Sequence, residues 1–330
     1  MFIDELKEKC KNNIKKIILA ESNDIRILKA SRIIKDGKYI EPVLIYNDNL
    51  YSLAEENNID ISDILVVNKN SFKDIDILIN RYYELRKHKG ITLEDAKKIV
   101  MNNDLVFANM LVETNYYDGV VAGNISSSSD TIRSSLQTIG SKNGASSYFI
   151  IELDDKSIGY NGILLYSDCG MIQNPTSEQL VSIAKSSYDS FISLINSTPK
   201  IAFLSHSTNN SSKCSDQEKV YNAVKIFKEK YPNIIADGEM QFDCAIDKDV
   251  ADVKYPNSNI KGDANIMIFP DLDSANIAYK ITERLAHAKV YGPIIQGLNK
   301  PSNDLSRGTS VESIIGVAII TAIQSINGNV

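Results

Sequence analysis

Short apolar runs rich in β-branched residues recur throughout the chain. They are KKIILAES (15–22), YIEPVLIYND (39–48), DILVV (63–67) and YDGVVAG (117–123) in the first half. SSYFIIEL (146–153), NGILLYSDC (161–169), KIAFLSHS (200–207), NIIADGEMQF (233–242), NIMIFPD (265–271) and YGPIIQG (291–297) follow. Between many of them the apolar positions change to a helical period, as in DIRILKASRIIKDG (24–37), LEDAKKIVMNNDLVFANMLVE (93–113), SEQLVSIAKSSYDSFISLIN (177–196) and DQEKVYNAVKIFKEKY (216–231). Continuous apolar strands alternating with amphipathic helices predict an α/β fold with largely parallel sheets. A length of 330 residues favours two domains over one, and SKNGASS (141–147), polar and glycine-containing, is the candidate crossing between them.

In open α/β sheets ligands bind at the carboxyl ends of strands and at the helix N-termini that follow. Three polar loops fall there: GNISSSSDTIR (123–133), HSTNNSSKCSD (206–216) and PDLDSAN (270–276). They share hydroxyl groups at the mouths of helices, which suits an anion. NDLSRG (303–308) adds a lone Arg in what reads as an exposed turn, before the apolar helical run 314–323. The sequence carries neither GxGxxG nor a P-loop, so the usual modes of nucleotide binding have no support.

Composition narrows the rest. Thirty-six basic against 42 acidic residues give a net charge of −6, hence no basic field for nucleic acid, and any anion must be drawn by a local cluster of Arg and Lys. Four cysteines (10, 169, 214, 244) lack the spacing of a zinc site or redox dithiol, and His88, His206 and His287 match no metal motif. The charged start is unlike a signal peptide, and the longest apolar-dominated run is too short for a membrane span. A soluble, cytoplasmic protein with reduced thiols and no resident metal is expected.

Six stretches together make the chain recognisable. DGVVAGNISSSSDTIRSSLQTIG (118–140), YSDCGMIQNPTSEQLVSIA (166–184), LSHSTNNSSKCSDQEKV (204–220), DGEMQFDCA (237–245), IKGDANIMIFPDLDSANIAYK (260–280) and GPIIQGLNKPSNDLSRG (292–308) resemble the phosphate acetyltransferase family in its own order. That family exchanges the acyl group of acyl-CoA for phosphate. The resemblance implies two three-layer α/β domains with a cleft between, similar to the isocitrate and isopropylmalate dehydrogenase fold. Domain I would be 1–142 with 289–330 and domain II the inserted 143–288. It also implies a homodimer, coenzyme A as a substrate and no separate cofactor.

Residue roles come with the resemblance. Arg307 and Arg133 match active-site arginines, whose planar fork fits phosphate or a carbonyl oxygen. Arg86 matches an arginine implicated in CoA binding; RKHK also reads as an ordinary basic helix end. Ser127, Ser128 and Thr131 would offer hydroxyls to phosphate, a role compatible with N-capping. Ser207 and Thr208 would do so from the other domain, and Ser306 matches the serine placed beside the thiol. The chain also departs from the pattern, with Ser126 and Ser129 replacing the usual His and Ala, and His206 an aromatic residue. Where the family carries an Asp proposed as the thiol's general base, the chain has Ser313. Glu312 is the nearest carboxylate, but Thr309-x-x-Glu312 also reads as a capping box.

An acetyltransferase is therefore expected. The alternatives are a butyryl- or propanoyl-preferring relative, since one methylene is worth only about 1–3 kcal/mol, and a CoA- or acyl-phosphate-binding homologue with weakened catalysis. An NAD-dependent hydroxy-acid dehydrogenase is disfavoured, because no cofactor loop or metal-binding aspartate set is apparent.

Overall fold

The computed structural model describes residues 2–328. Its strands are β1 (Lys16–Leu19), β2 (Glu41–Ile45), β3 (Leu65–Val67), β4 (Gly119–Ala122), β5 (Ser141–Glu152), β6 (Ile163–Ser167), β7 (Ile201–Leu204), β8 (Ala236–Met240), β9 (Ile266–Ile268), β10 (Lys289–Leu298) and β11 (Ser302–Asp304). The first ten fall on the ten apolar runs. Two compact units result, residues 2–142 with 298–328, and 143–297.

In the first unit the strand order is β11-β4-β1-β2-β3, every pairing parallel. Ile17, Ile18 and Leu19 are fully buried, as are Val120, Val121 and Ala122 of neighbouring β4, because helices cover both faces of a parallel sheet. Helices Phe2–Lys11, Ile25–Gly37 and Val311–Asn327 form one contacting set. Helices Ile75–Arg86, Leu93–Asn102, Asp104–Glu113 and Ser128–Thr138 form another. Both sets touch β4 but make few contacts with each other, so they lie on opposite faces and give three layers.

The second unit orders its sheet β10-β5-β6-β9-β7-β8. β5 and β6 pair antiparallel, whereas β6, β9, β7 and β8 run parallel. Helices Ser177–Leu194 and Ser215–Lys230 pack together over β6 to β9, and helix Leu272–Leu285 also contacts β6. The segment 289–297, assigned from sequence to the first domain, belongs here as edge strand β10. Gln296 explains why. Fully buried, its amide donates to Ser146 Oγ (2.8 Å) and Ser187 Oγ (3.1 Å) and accepts from Ser190 Oγ (2.9 Å).

Two local expectations shift. The long helical stretch 93–113 is two helices, because extended Asn103 ends the first and caps the second through Val106 N (3.1 Å). NDLSRG is only partly a turn: Asn303 and Asp304 are buried in β11. Asn303 donates to Thr321 Oγ1 (2.8 Å) and Gln324 Oε1 (2.7 Å), so side-chain hydrogen bonds, not apolar contacts, bury this strand.

Candidate active site

All strands of the first sheet being parallel, the loops after β1, β4 and β11 emerge at one edge. Each leads into a helix: Ile25–Gly37, Ser128–Thr138 and Val311–Asn327. Three residues of the first loop tie the other two down. Glu21, buried, accepts the backbone N–H groups of Gly123 (2.7 Å), Ile125 (3.1 Å) and Ser126 (2.7 Å). Asp24 caps its own helix through Arg26 N (2.7 Å) and accepts the Asn124 amide (3.1 Å).

Arg26 joins the loops. Its Nη1 donates to the carbonyls of Arg307 (2.9 Å) and Thr309 (2.9 Å), and its Nη2 to Asp24 Oδ2 (2.6 Å) and the carbonyl of Asn124 (3.0 Å). Asp24 raises the affinity of this guanidinium for its proton, so it stays a cation. Gly123 permits the close approach. With φ at +106°, a Cβ there would collide with Asp304 Oδ1 and lie 2.8 Å from the Leu305 nitrogen.

On this framework Ser127 is the N-cap of helix Ser128–Thr138; its Oγ accepts from Asp130 N (3.2 Å) and donates to Asp130 Oδ2 (2.7 Å). Thr131, buried, turns its hydroxyl to the Ser127 carbonyl (3.3 Å), whereas Ser128 is exposed. Arg133 lies along the surface, paired with Asp130 at 2.9 Å with more than half of each side chain exposed. Ser306 and Arg307 are exposed, and among the described residues no carboxylate pairs with the Arg307 guanidinium.

The helix after NDLSRG starts one residue later than the Thr309-x-x-Glu312 reading predicts. Ser310, extended at φ −88° and ψ 164°, is the N-cap and accepts from Ser313 N (3.1 Å). The Ser313 hydroxyl takes the Ser310 hydroxyl at 3.1 Å, so Ser313 stands where a capping-box carboxylate would. Glu312 is exposed in the first turn, where the helix dipole favours an acidic side chain.

The remaining candidates lie elsewhere. Arg86 ends helix Ile75–Arg86, a helix that touches Ser128–Thr138; neighbouring Arg81 and Lys87 pair with Glu113 and Glu84, but among the described residues no carboxylate pairs with Arg86. Ser207 and Thr208 belong to the second unit. Ser207 Oγ donates to buried Glu239 (2.9 Å), and Thr208 Oγ1 accepts from Gln241 N (2.9 Å), so both hydroxyls serve their own loop. His206 is exposed beside Ser212 (3.4 Å) and Cys214 (3.8 Å).

The structure thus unites the serine loop and the Arg307 loop at one strand edge, and adds Glu21, Asp24, Arg26, Asn124 and Asp304, which the sequence reading passed over. One signal was available: ESNDIR (21–26) follows an apolar strand directly and carries three charges into a helix.

The fold is one used by α/β enzymes. A 4-hydroxythreonine-4-phosphate dehydrogenase from Klebsiella pneumoniae, only 11% identical, superposes with a TM-score of 0.55 over 94% of this chain and 99% of its own. Within that class, the model of the phosphate acetyl/butaryl transferase family matches residues 1–322, and the chain belongs to this family. A phosphate acetyltransferase of Acetivibrio thermocellus is 42% identical over 328 residues, 98% of each chain. A phosphotransacetylase structure from Streptococcus pyogenes, 37% identical, aligns with a TM-score of 0.91 over 99% of this chain and 98% of its own. Among the described residues, no helix is long and apolar enough to cross a membrane.

Proposed function

We propose that the chain is a phosphate acetyltransferase, interconverting acetyl-CoA and phosphate with acetyl phosphate and CoA. The observation that carries this is the Arg307 loop. Its backbone is fixed by Arg26, while its guanidinium has, among the described residues, no carboxylate partner at the strand edge where the serine loop opens. A phosphate oxygen attacks the thioester carbonyl, the carbonyl oxygen becomes an oxyanion, and collapse expels the CoA thiolate, which then takes a proton. Arg307 meets charge that grows in the transition state. Ser127, Ser128, Thr131 and Arg133 receive phosphate. Opening the exposed Arg133–Asp130 pair to do so costs only about 0.2–1 kcal/mol. Arg86 meets the phosphates of CoA, and Ser306 stands beside the thiol.

Acetyl phosphate should acylate CoA, with loss of phosphate, faster than propanoyl or butanoyl phosphate in a thiol-consumption assay; a preference for butanoyl would assign the chain to the longer-acyl members. A cytoplasmic homodimer completes the proposal. Ile277, Ile281 and Leu285, more than half exposed and four residues apart on one helix, supply an apolar stripe that a second copy would cover. Light scattering showing a single-chain mass at micromolar concentration removes the dimer.

A second reading, weakened catalysis, has one observation in its favour: Ser313 is engaged in capping its helix and offers no carboxylate. A thiol of pKa about 8.5 is only a few per cent ionised at neutrality, and a positioned base contributes about 10²–10⁴-fold. CoA acylation is therefore expected to rise with pH up to the thiol's own pKa. Ser313→Asp should raise the neutral-pH rate and flatten that rise. If Glu312 is the base instead, Glu312→Gln abolishes the neutral rate and Ser313→Asp adds little. Rate profiles of the three proteins against pH separate these outcomes.

A further inference from the structure

Asp304 is a titratable group at this edge for which the proposed chemistry has no use. It ends β11 beneath the serine loop and is fully buried, and among the described residues neither carboxylate oxygen has a hydrogen-bond or ion-pair partner. Such a group is costly to keep charged. Its surroundings are hydroxyls, amides and another acid. The Ser128 and Thr131 hydroxyls and the Leu305 N–H face it, and Gly123 has no Cβ because Asp304 Oδ1 occupies that space.

Among the described residues no cation pairs with it, and Arg307, three residues further along the same loop, is exposed. Arg26 is taken up by Asp24 and by three carbonyls. Arg133 pairs with Asp130 on the surface, and the C-terminal helix brings only exposed Glu312 to its first turn. Glu21, whose carboxylate holds Gly123, Ile125 and Ser126, repels it. Burial, first, and then Glu21 push the Asp304 carboxyl up to about 7, against the pull of Ser128, Thr131 and Leu305.

We propose that Asp304 is a positioning residue that binds a proton when a tetrahedral dianion enters the serine loop, so that anion binding at this edge is proton-coupled. The inference rests on the anion site of the proposed function. Two buried carboxylates and an incoming dianion cannot all be charged in so small a volume, and Asp304 is the one without the three backbone N–H groups that hold the charge of Glu21. Once neutral, it no longer presents a negative charge to the Ser128 and Thr131 hydroxyls. Its own O–H donates to one of these oxygens, leaving the hydroxyl hydrogens for the anion.

Sulfate is a suitable probe, being a tetrahedral dianion that does not itself titrate near neutrality. Calorimetry in two buffers of different ionisation enthalpy then counts protons. At about pH 8 the wild type should take up close to one proton per sulfate. Its affinity should fall about tenfold per pH unit above the Asp304 pKa of about 7. Asp304→Asn should take up none and should bind with a pH-independent affinity close to that of the wild type at low pH.

Stability provides a second readout. The folded pKa lies above the unfolded one, so the fold's advantage is present at acid pH and declines from about pH 4 to about pH 7. The Tm of Asp304→Asn should accordingly rise relative to wild type across that interval. Sulfate binding without proton uptake overturns the inference, as does uptake that persists in Asp304→Asn. Sulfate that fails to bind at any pH removes the anion site itself, and this inference with it.

Discussion

Arg307→Ala should lower turnover about 10²–10³-fold while leaving the Tm unchanged, because the charge it supplies is felt mainly in the transition state. The Tm forecast rests on its side chain being exposed and, among the described residues, without a carboxylate partner. Its backbone carbonyl, which alanine keeps, carries the loop's attachment to Arg26. Turnover and Tm measured side by side decide it. Near-normal turnover ends the assignment of NDLSRG to the chemistry, and a fall in both quantities makes Arg307 a structural residue.

Arg26 predicts the converse. Arg26→Ala removes donors to three carbonyls in two loops and strands Asp24 beside the Asn124 amide. Hydrogen bonds to charged groups are worth about 1.5–3 kcal/mol each and overlap strongly when they share one donor group, so a loss of about 2–4 kcal/mol in stability is expected. Turnover should fall about 10–100-fold, since a loop free to shift by about an ångström no longer holds Arg307 in a productive place. Arg26→Lys separates charge from geometry. A point charge keeps the Asp24 pair but has no fork to reach both loops, so it should restore much of the Tm and little of the turnover. Full recovery of turnover by Lys would show that the cation alone suffices.

How far the sequence reveals this edge depends on what buries each element. Ile17–Leu19 and Val120–Ala122 announce themselves because a strand covered on both faces must be apolar throughout. Ser302 and Asn303 do the opposite: they are as deeply buried, but their side chains are satisfied by Thr321, Gln324, Asn109 and Ser135 from other parts of the chain. No local pattern distinguishes that from a polar turn. Ser310 and Thr309 compete for one cap within a single residue, and only the backbone angles choose between them. The Arg26 contacts span more than 280 residues along the chain, beyond any periodic signal. The serine loop and Arg307, by contrast, are legible from motif order alone.

β11 also fixes an order of events. It lies at the sheet's edge beside β4, yet about 180 residues of chain, including all of the second unit, separate the two strands. As the polypeptide emerges from the ribosome, the inserted unit is complete through β10 while its host still lacks a strand, a covering helix and the loop that bears Arg307. Until then the backbone edge of β4 is open to any other strand, the condition under which nascent chains cross-pair. The residues translated after the second unit therefore both close that edge and deliver Arg307, so a chain released before them lacks the Arg307 loop and leaves an adhesive border exposed. Quality control by aggregation and loss of activity thereby fall on the same truncated products.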